Sequence, residues 1–233
     1  MNLNSPLNYW DLIREHPELF DNKKALLKIV TNKTRVKTFQ EKYKSELEKD
    51  GLPPTWSEIG VVYDDPYVVI LRDLVKFPDG SFKPYSRLVG RADLSGGQGV
   101  VILPIFENKI IILKQYRHAT RSWRLEVPRG FGTAGLSASE NARKEIKEEI
   151  GGDIINLIDL GICHNNTGME GSSVQLFLAK LSSIGKPEKM EGIKIIRSIN
   201  LANFEDLLEN GTITDCFTIA AYTRAKLKGY LSQ

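Results

Sequence analysis

The hydrophobic and polar positions along the chain change period several times, and each change marks an element. Near the start, Tyr9, Trp10, Leu12 and Ile13 recur at helical spacing between Ser5-Pro6, which can open a helix, and Pro17, which breaks one. A second helix is predicted over Thr34 to Lys49, stopped by Gly51-Leu52-Pro53-Pro54. Its apolar face is thin (Val36, Phe39, Tyr43, Leu47), so it should lie on another surface rather than build a core. From about Thr55 to Gly97 the pattern reads as antiparallel strands. Tyr67-Val68-Val69-Ile70-Leu71 is β-branched and aliphatic, and Phe77-Pro78-Asp79-Gly80 turns the chain back toward Phe82 to Val89. Gly96, Gly97 and Gly99 mark a hinge.

Beyond the hinge, Val100 to Phe106 and Lys109 to Gln115 form two strong strands around a Glu107-Asn108 turn. A glycine-punctuated loop follows, then a helix from Ser137 to Ile150. Strand signals return at Ile154 to Cys163, Ser172 to Lys180 and Ile193 to Ile199, and helices close the chain over Leu201 to Asn210 and Asp215 to Tyr230. Strands and helices mixed in this irregular order predict α+β layers rather than a doubly wound sheet. The expected organisation is a helical extension over 1–54, a small β module over 55–98 and a larger domain over 99–233.

Composition narrows the function classes. The 233 residues are 41% hydrophobic and 26% charged, ordinary globular usage. With 32 basic and 29 acidic residues interspersed, the net charge of +3 gives no nucleic-acid footprint. Even the densest basic run, Lys33 to Lys49, is broken by Glu41, Glu46 and Glu48 and reads as a solvated helix face. Cys163 and Cys216 match no metal spacing and are expected to be reduced core thiols. With neither a leader pattern nor an apolar run of about 18 residues, a cytoplasmic protein without membrane contact is expected.

The chemistry concentrates in the helix from Ser137. Ser137 with Glu140 makes a capping box, Ala138, Ala142, Ile146 and Ile150 form the buried stripe, and Gly151-Gly152 ends the helix. Glu145, Glu148 and Glu149 then sit at i, i+3 and i+4 and share a neighbourhood. Clustered carboxylates repel unless a cation lies between them, and Mg²⁺ commonly joins one or two carboxylates to substrate phosphates. By itself, Glu145 to Ile150 reads better as an exposed charged face offset by Lys144 and Lys147 than as a metal site.

The flanking residues decide between the two. Gly130, then five residues, Leu136, then seven residues, and Lys144-Glu145-Ile146-Lys147-Glu148-Glu149-Ile150-Gly151-Gly152 together resemble the Nudix box. The chain departs from it at Leu136, where the family has Glu, at Lys144, where it has Arg, and at Gly152, where an aliphatic is usual. The first two departures remove both members of a supporting pair expected in the family. Gln115-Tyr116-Arg117, Leu125-Glu126-Val127-Pro128-Arg129-Gly130, the Thr167 to Ser173 loop and Gly211-Thr212-Ile213-Thr214-Asp215 resemble the ADP-ribose pyrophosphatase branch.

The resemblance implies a mixed-sheet α/β/α sandwich with an N-terminal antiparallel β module and a helical leader. It implies Mg²⁺-dependent hydrolysis (Mn²⁺ as substitute) of ADP-ribose or a related nucleoside diphosphate sugar. Glu145, Glu148 and Glu149, with the backbone carbonyl of Arg129, would hold metal, and Glu149 would be essential to catalysis. Glu170, in its glycine-flanked loop, would orient or deprotonate the attacking water. Arg117 suits the diphosphate through its planar fork, Glu126 the adenine or ribose, and Arg129 a phosphate. Trp123 could stack on a base, whereas His118 and His164 read as polar neighbours of the cleft. A homodimer formed through the β module is also implied, with Arg87 reaching the partner's cleft. The competing class is a catalytically weak domain that binds a nucleotide sugar as a regulator, suggested by the replacements at Leu136 and Lys144.

Overall fold

Strands and helices form where the alternation of side chains sets them, in a computed structural model that describes residues 6–188 and 192–231. Two units are distinguished: Met1–Leu94 with Asn166–Ser172, and Ser95–Asn165 with Ser173–Gln233.

In the first unit, α1 (Tyr9–Glu15) is followed by a 3-10 turn (Pro17–Phe20). The start expected at Ser5-Pro6 is replaced by Asn8, whose side chain accepts hydrogen bonds from the Trp10 and Asp11 amides; Ser5 itself lies outside the described residues. Helix α2 (Lys33–Lys49) is capped by Asn32 and buries only Val36 and Leu47, as its thin stripe predicts. Between the helices lies β1 (Lys28–Ile29), too short to be read from the sequence. Strands β2 (Gly60–Asp64), β3 (Val68–Lys76) and β4 (Phe82–Gly90) complete an antiparallel sheet centred on β3. One helical turn, α3 (Arg91–Leu94), follows.

Tyr9, Leu12 and Phe20 bury against Val69, Leu71 and Val89, so the leader and the β module share one core. Beneath it, Asp73 accepts from Tyr9 Oη at 2.6 Å and from Arg87 Nε at 2.6 Å.

The second unit is built on β5 (Gly99–Phe106), β6 (Lys109–Arg117), β7 (Ser122–Glu126), β8 (Arg129–Gly130), β9 (Asp153–His164), β10 (Ser173–Ser183) and β11 (Ile193–Ile199). The order β11-β6-β5-β10-β9 contains one parallel pair, β10 with β5, so the sheet is mixed. Helix α4 (Ala138–Ile150) packs Ala142, Ile146 and Ile150 onto Val100, Ile102, Ile111 and Leu113. On the other face α5 (Leu201–Glu209) and α6 (Cys216–Leu227) pack Phe204, Ala221 and Ala225 onto Val101, Leu103 and Ile112. Successive side chains of a strand point to opposite faces, so β5 and β6, apolar on both, read as near-continuous hydrophobic runs. This is the α/β/α sandwich expected.

Where the sequence showed only a glycine-punctuated loop, the structure has β7 and β8. Strands β5 and β6 pair only at their hairpin, Ile105 with Ile110 and Phe106 with Lys109, and then diverge. Strand β7 takes the open edge of β6 from Leu113 to Arg117, and β8 takes that of β5 at Val100 and Val101. Trp123 and Arg124 between short turns gave no period long enough to announce them. The cysteines also differ from expectation. Both are free thiols, but Cys163 is half-buried and Cys216 exposed. No helix among the described residues is long and apolar enough to cross a membrane.

Candidate active site

The divergence of β5 and β6 determines which side chains meet. Arg117 ends β6 and Glu126 ends β7, and strand parity places both on one face of the ladder. Arg117 Nε donates to Glu126 Oε2 at 2.8 Å. Arg129, at the start of β8, brings Nη2 to 3.0 Å from the same oxygen and donates from Nη1 to Asp215 Oδ1 at 3.2 Å. The Arg129 guanidinium lies 5.3 Å from the Phe217 ring centre.

Asp215 caps α6, accepting from the Thr218 amide at 2.9 Å and the Thr218 hydroxyl at 2.7 Å. That hydroxyl accepts in turn from the Val127 amide at 3.1 Å. The Glu126 side chain is only 2% exposed, which a carboxylate tolerates because two guanidinium groups face it. Its Oε2 is thus engaged by both Arg117 and Arg129, the two residues expected to meet phosphates.

Helix α4 starts as its sequence requires: Ser137 and Glu140 form the reciprocal capping box, and Gly151 at φ 66° closes the far end in the left-handed region. Glu145 is buried against β8. A Cβ at Gly130 would overlap the Glu145 carboxylate, so only glycine leaves room for that group. One turn on, Glu149 Oε2 accepts from the Arg129 amide at 3.3 Å.

Burial and then the charge of Glu145 push the Glu149 carboxyl up to about 8, although the Arg129 amide and the Arg117 and Arg129 guanidinium groups oppose the shift. Glu148 lies beside Lys144, whose Nζ is 3.6 Å from Glu148 Oε2 and 3.3 Å from Glu145 Oε1. Among the described residues, no group of three or more His, Cys, Asp and Glu side chains is already arranged to hold a metal ion.

Asn141 was not singled out by the sequence, yet it fixes the loop that carries the glycines. Buried on α4, its Nδ2 donates to the Phe131 carbonyl at 2.9 Å, and its Oδ1 accepts from Thr133 Oγ1 at 3.2 Å. Its one signal was an amide beside the apolar stripe residues Ala138 and Ala142. Asp215 and Thr218 were also missed as site supports; the Asp-x-x-Thr spacing at a helix start was their signal.

The remaining candidates have partners of their own. Arg87 and Glu170 both belong to the first unit. Arg87 pairs with Asp73, its side chain 19% exposed, and its guanidinium stacks 5.1 Å from Phe20. Glu170 is half-buried; its amide donates to the Asn166 carbonyl at 2.7 Å, and it bridges in parallel to Leu88 of β4. Trp123 is exposed, edge-on to Tyr116, with Lys194 Nζ 5.5 Å from its ring. His118 is exposed and meets Arg121 Nη1 at 2.9 Å, and His164 is exposed on β9.

No protein-family model matches the chain. It is 26% identical over 162 residues to the ADP compounds hydrolase NudE of Escherichia coli (strain K12), covering 66% of this chain and 83% of that protein. The crystal structure of an ADP compounds hydrolase superposes with a TM-score of 0.63 at 24% identity, covering 73% of this chain and 91% of the other. That likeness fixes the fold. On the motif, the fold and these two likenesses, the chain is related to the Nudix hydrolases of the ADP-ribose pyrophosphatase-like kind.

Proposed function

We propose that the protein hydrolyses the diphosphate bridge of ADP-ribose or a related nucleoside diphosphate sugar, releasing AMP and a sugar phosphate, with Mg²⁺ as cofactor and Mn²⁺ as its substitute. One observation carries this reading. Acids that suit a cation and guanidinium groups that suit phosphates converge at the β8–α4 junction, where Glu149 is influenced by Glu145 on one side and by Arg117 and Arg129 on the other.

The donor set fits a hard divalent cation. Glu145, Glu148 and Glu149 offer carboxylate oxygens within two helical turns, and Gly130 leaves space for the first of them. The high proton affinity of Glu149 says the same in electrostatic terms, since positive charge placed there would replace the proton. When bound, such a cation supplies neutralisation of phosphoryl oxygens and acidification of a water.

The chain's own residues do the rest. The Arg129 amide holds Glu149 in orientation, Gly130 leaves room for Glu145, and Asn141 holds the intervening loop. Arg117 and Arg129 offer charge to a diphosphate while Glu126 keeps their forks in place. Water attacks one phosphorus, the bridging oxygen leaves with the other phosphate, and positioning supplies most of the acceleration. This reading also carries a cytoplasmic setting and a homodimer formed through residues 55–98, the latter testable by sedimentation.

AMP release from ADP-ribose, followed with and without Mg²⁺, tests the proposal. The native chain should turn over only with metal, and Glu149→Gln should lower kcat by about 10²–10⁴-fold. Tight ADP-ribose binding without turnover in the native chain would instead establish the regulator.

A further inference from the structure

We propose that Lys144 is a tethered counterion that occupies the Glu145–Glu148 pair and must be displaced before a divalent cation can bind there. The inference rests on the metal reading above and adds to it a residue that sets how much cation the site requires. Its basis is the position of one ammonium group. Lys144 Nζ lies 3.3 Å from Glu145 Oε1 and 3.6 Å from Glu148 Oε2, so it bridges two of the three acids assigned to metal. The two carboxylates are mostly buried, at 10% and 15% exposure, whereas the lysine is 36% exposed. An ammonium on a flexible four-carbon stem can therefore swing to water and leave the acids in place.

The reason it sits there is a second substitution in the same motif. Thr133 to Leu136 is a turn closed by the Leu136 amide donating to the Thr133 carbonyl at 3.1 Å. Lys144 Nζ already reaches this turn, 3.5 Å from Thr133 Oγ1. A carboxylate at position 136 would lie on the turn that the ammonium touches. With leucine there, the lysine takes the nearest carboxylates instead, which are those of Glu145 and Glu148. Two departures from the motif thus become one device: the missing acid redirects the cation onto the metal ligands. An arginine, with a planar fork that binds in fixed directions, would not fill the gap between two carboxylates as a compact ammonium does.

Mn²⁺ titration of the full chain, read from the electron paramagnetic resonance of the free ion, tests this without reference to turnover. The proteins compared are the native chain, Lys144→Met, Leu136→Glu, the double variant and Glu148→Gln. Lys144→Met should tighten Mn²⁺ binding about five- to tenfold, the scale expected for removing one partly screened competing charge. Leu136→Glu should tighten it in the same direction by giving the ammonium another partner, and the double variant should gain nothing over Lys144→Met. Glu148→Gln should weaken binding.

Unchanged or weaker Mn²⁺ affinity in Lys144→Met, with the native chain binding normally, overturns the counterion role and leaves the hydrolase reading standing. Should Lys144→Met fail to fold, Leu136→Glu retains the lysine and carries the test, and unchanged affinity there is equally fatal. Unchanged affinity in Glu148→Gln also overturns the proposal, because the ion would then lie elsewhere. Absence of Mn²⁺ binding in every variant overturns the metal reading itself.

Discussion

The second unit contains two groups of charged side chains in different electrostatic condition. Where β5 and β6 part, Arg117 and Arg129 face Glu126 and Asp215 in a chain of contacts between 2.5 and 3.2 Å. Cation and anion alternate, and nearly every charge is met by an opposite one. Along α4, carboxylates crowd together, and one of them, Glu149, is driven toward its protonated form by burial and by Glu145. A buried cluster in which opposite charges alternate fastens strands and a helix cap together, whereas on α4 Lys144 offsets Glu145 and Glu148 and Glu149 is left buried beside the charge of Glu145. Glu126 and Glu149 are both acids of the expected site, yet the first is held by two guanidinium groups and the second meets the Arg129 amide with its carboxyl raised by burial.

The strongest way to break this comparison is to remove the central acid of the neutral cluster. Glu126→Ala leaves two guanidinium groups facing an apolar methyl, and urea unfolding should show a loss of about 3–5 kcal/mol. If Glu126→Ala is as stable as the native chain, the cluster is not framework. Glu149→Gln should do the reverse and leave stability unchanged or improved in metal-free buffer.

A smaller effect follows from pH. The folded carboxyl of Glu149 is raised from 4.5 to about 8, so its favourable contribution is complete below pH 4.5 and is lost as pH rises through about 8. The melting temperature of the metal-free protein should therefore fall between about pH 4.5 and 8 by about 2–4 °C for each kcal/mol involved. Glu149→Gln should flatten that slope, and a slope unchanged in the variant would assign it to other groups.

The smallest effect sharpens the comparison. Ser137→Ala removes the cap of α4 and should cost about 1 kcal/mol in urea unfolding. It should leave Mn²⁺ affinity unaltered, since the acids are positioned by β8 and Gly130 at the other end of the helix. A parallel loss of affinity would show that the helix start also orients the site.

Much of this was legible in the sequence where a local rule sufficed. The capping box at Ser137, the stripe of Ala142, Ile146 and Ile150, and the Gly151 stop are written within a few residues, and α4 follows them. The Glu107-Asn108 turn is equally local: both residues adopt positive φ, which a tight hairpin demands. Less was legible where partners come from distant segments. Strands β7 and β8 exist because β5 and β6 open a gap, and no short stretch contains that information. Asn141 reads as an ordinary helix amide until the Phe131 and Thr133 loop folds back on it. The Ser5-Pro6 helix start yielded to Asn8, because an asparagine one residue before the helix satisfies its first amides directly.

By itself, the sequence determined the elements with strong periods, the position of the carboxylates on one helix and the motif that contains them. These depend on interactions within one or two turns of chain, which spacing alone specifies. Only the tertiary structure decided that Glu126 is claimed by Arg117 and Arg129, that Lys144 leans onto Glu145 and Glu148, and that the segment 166–172 is counted with the first unit. Those outcomes turn on which charges end within a few ångströms of one another, and electrostatic energy depends on distance and burial rather than on order along the chain.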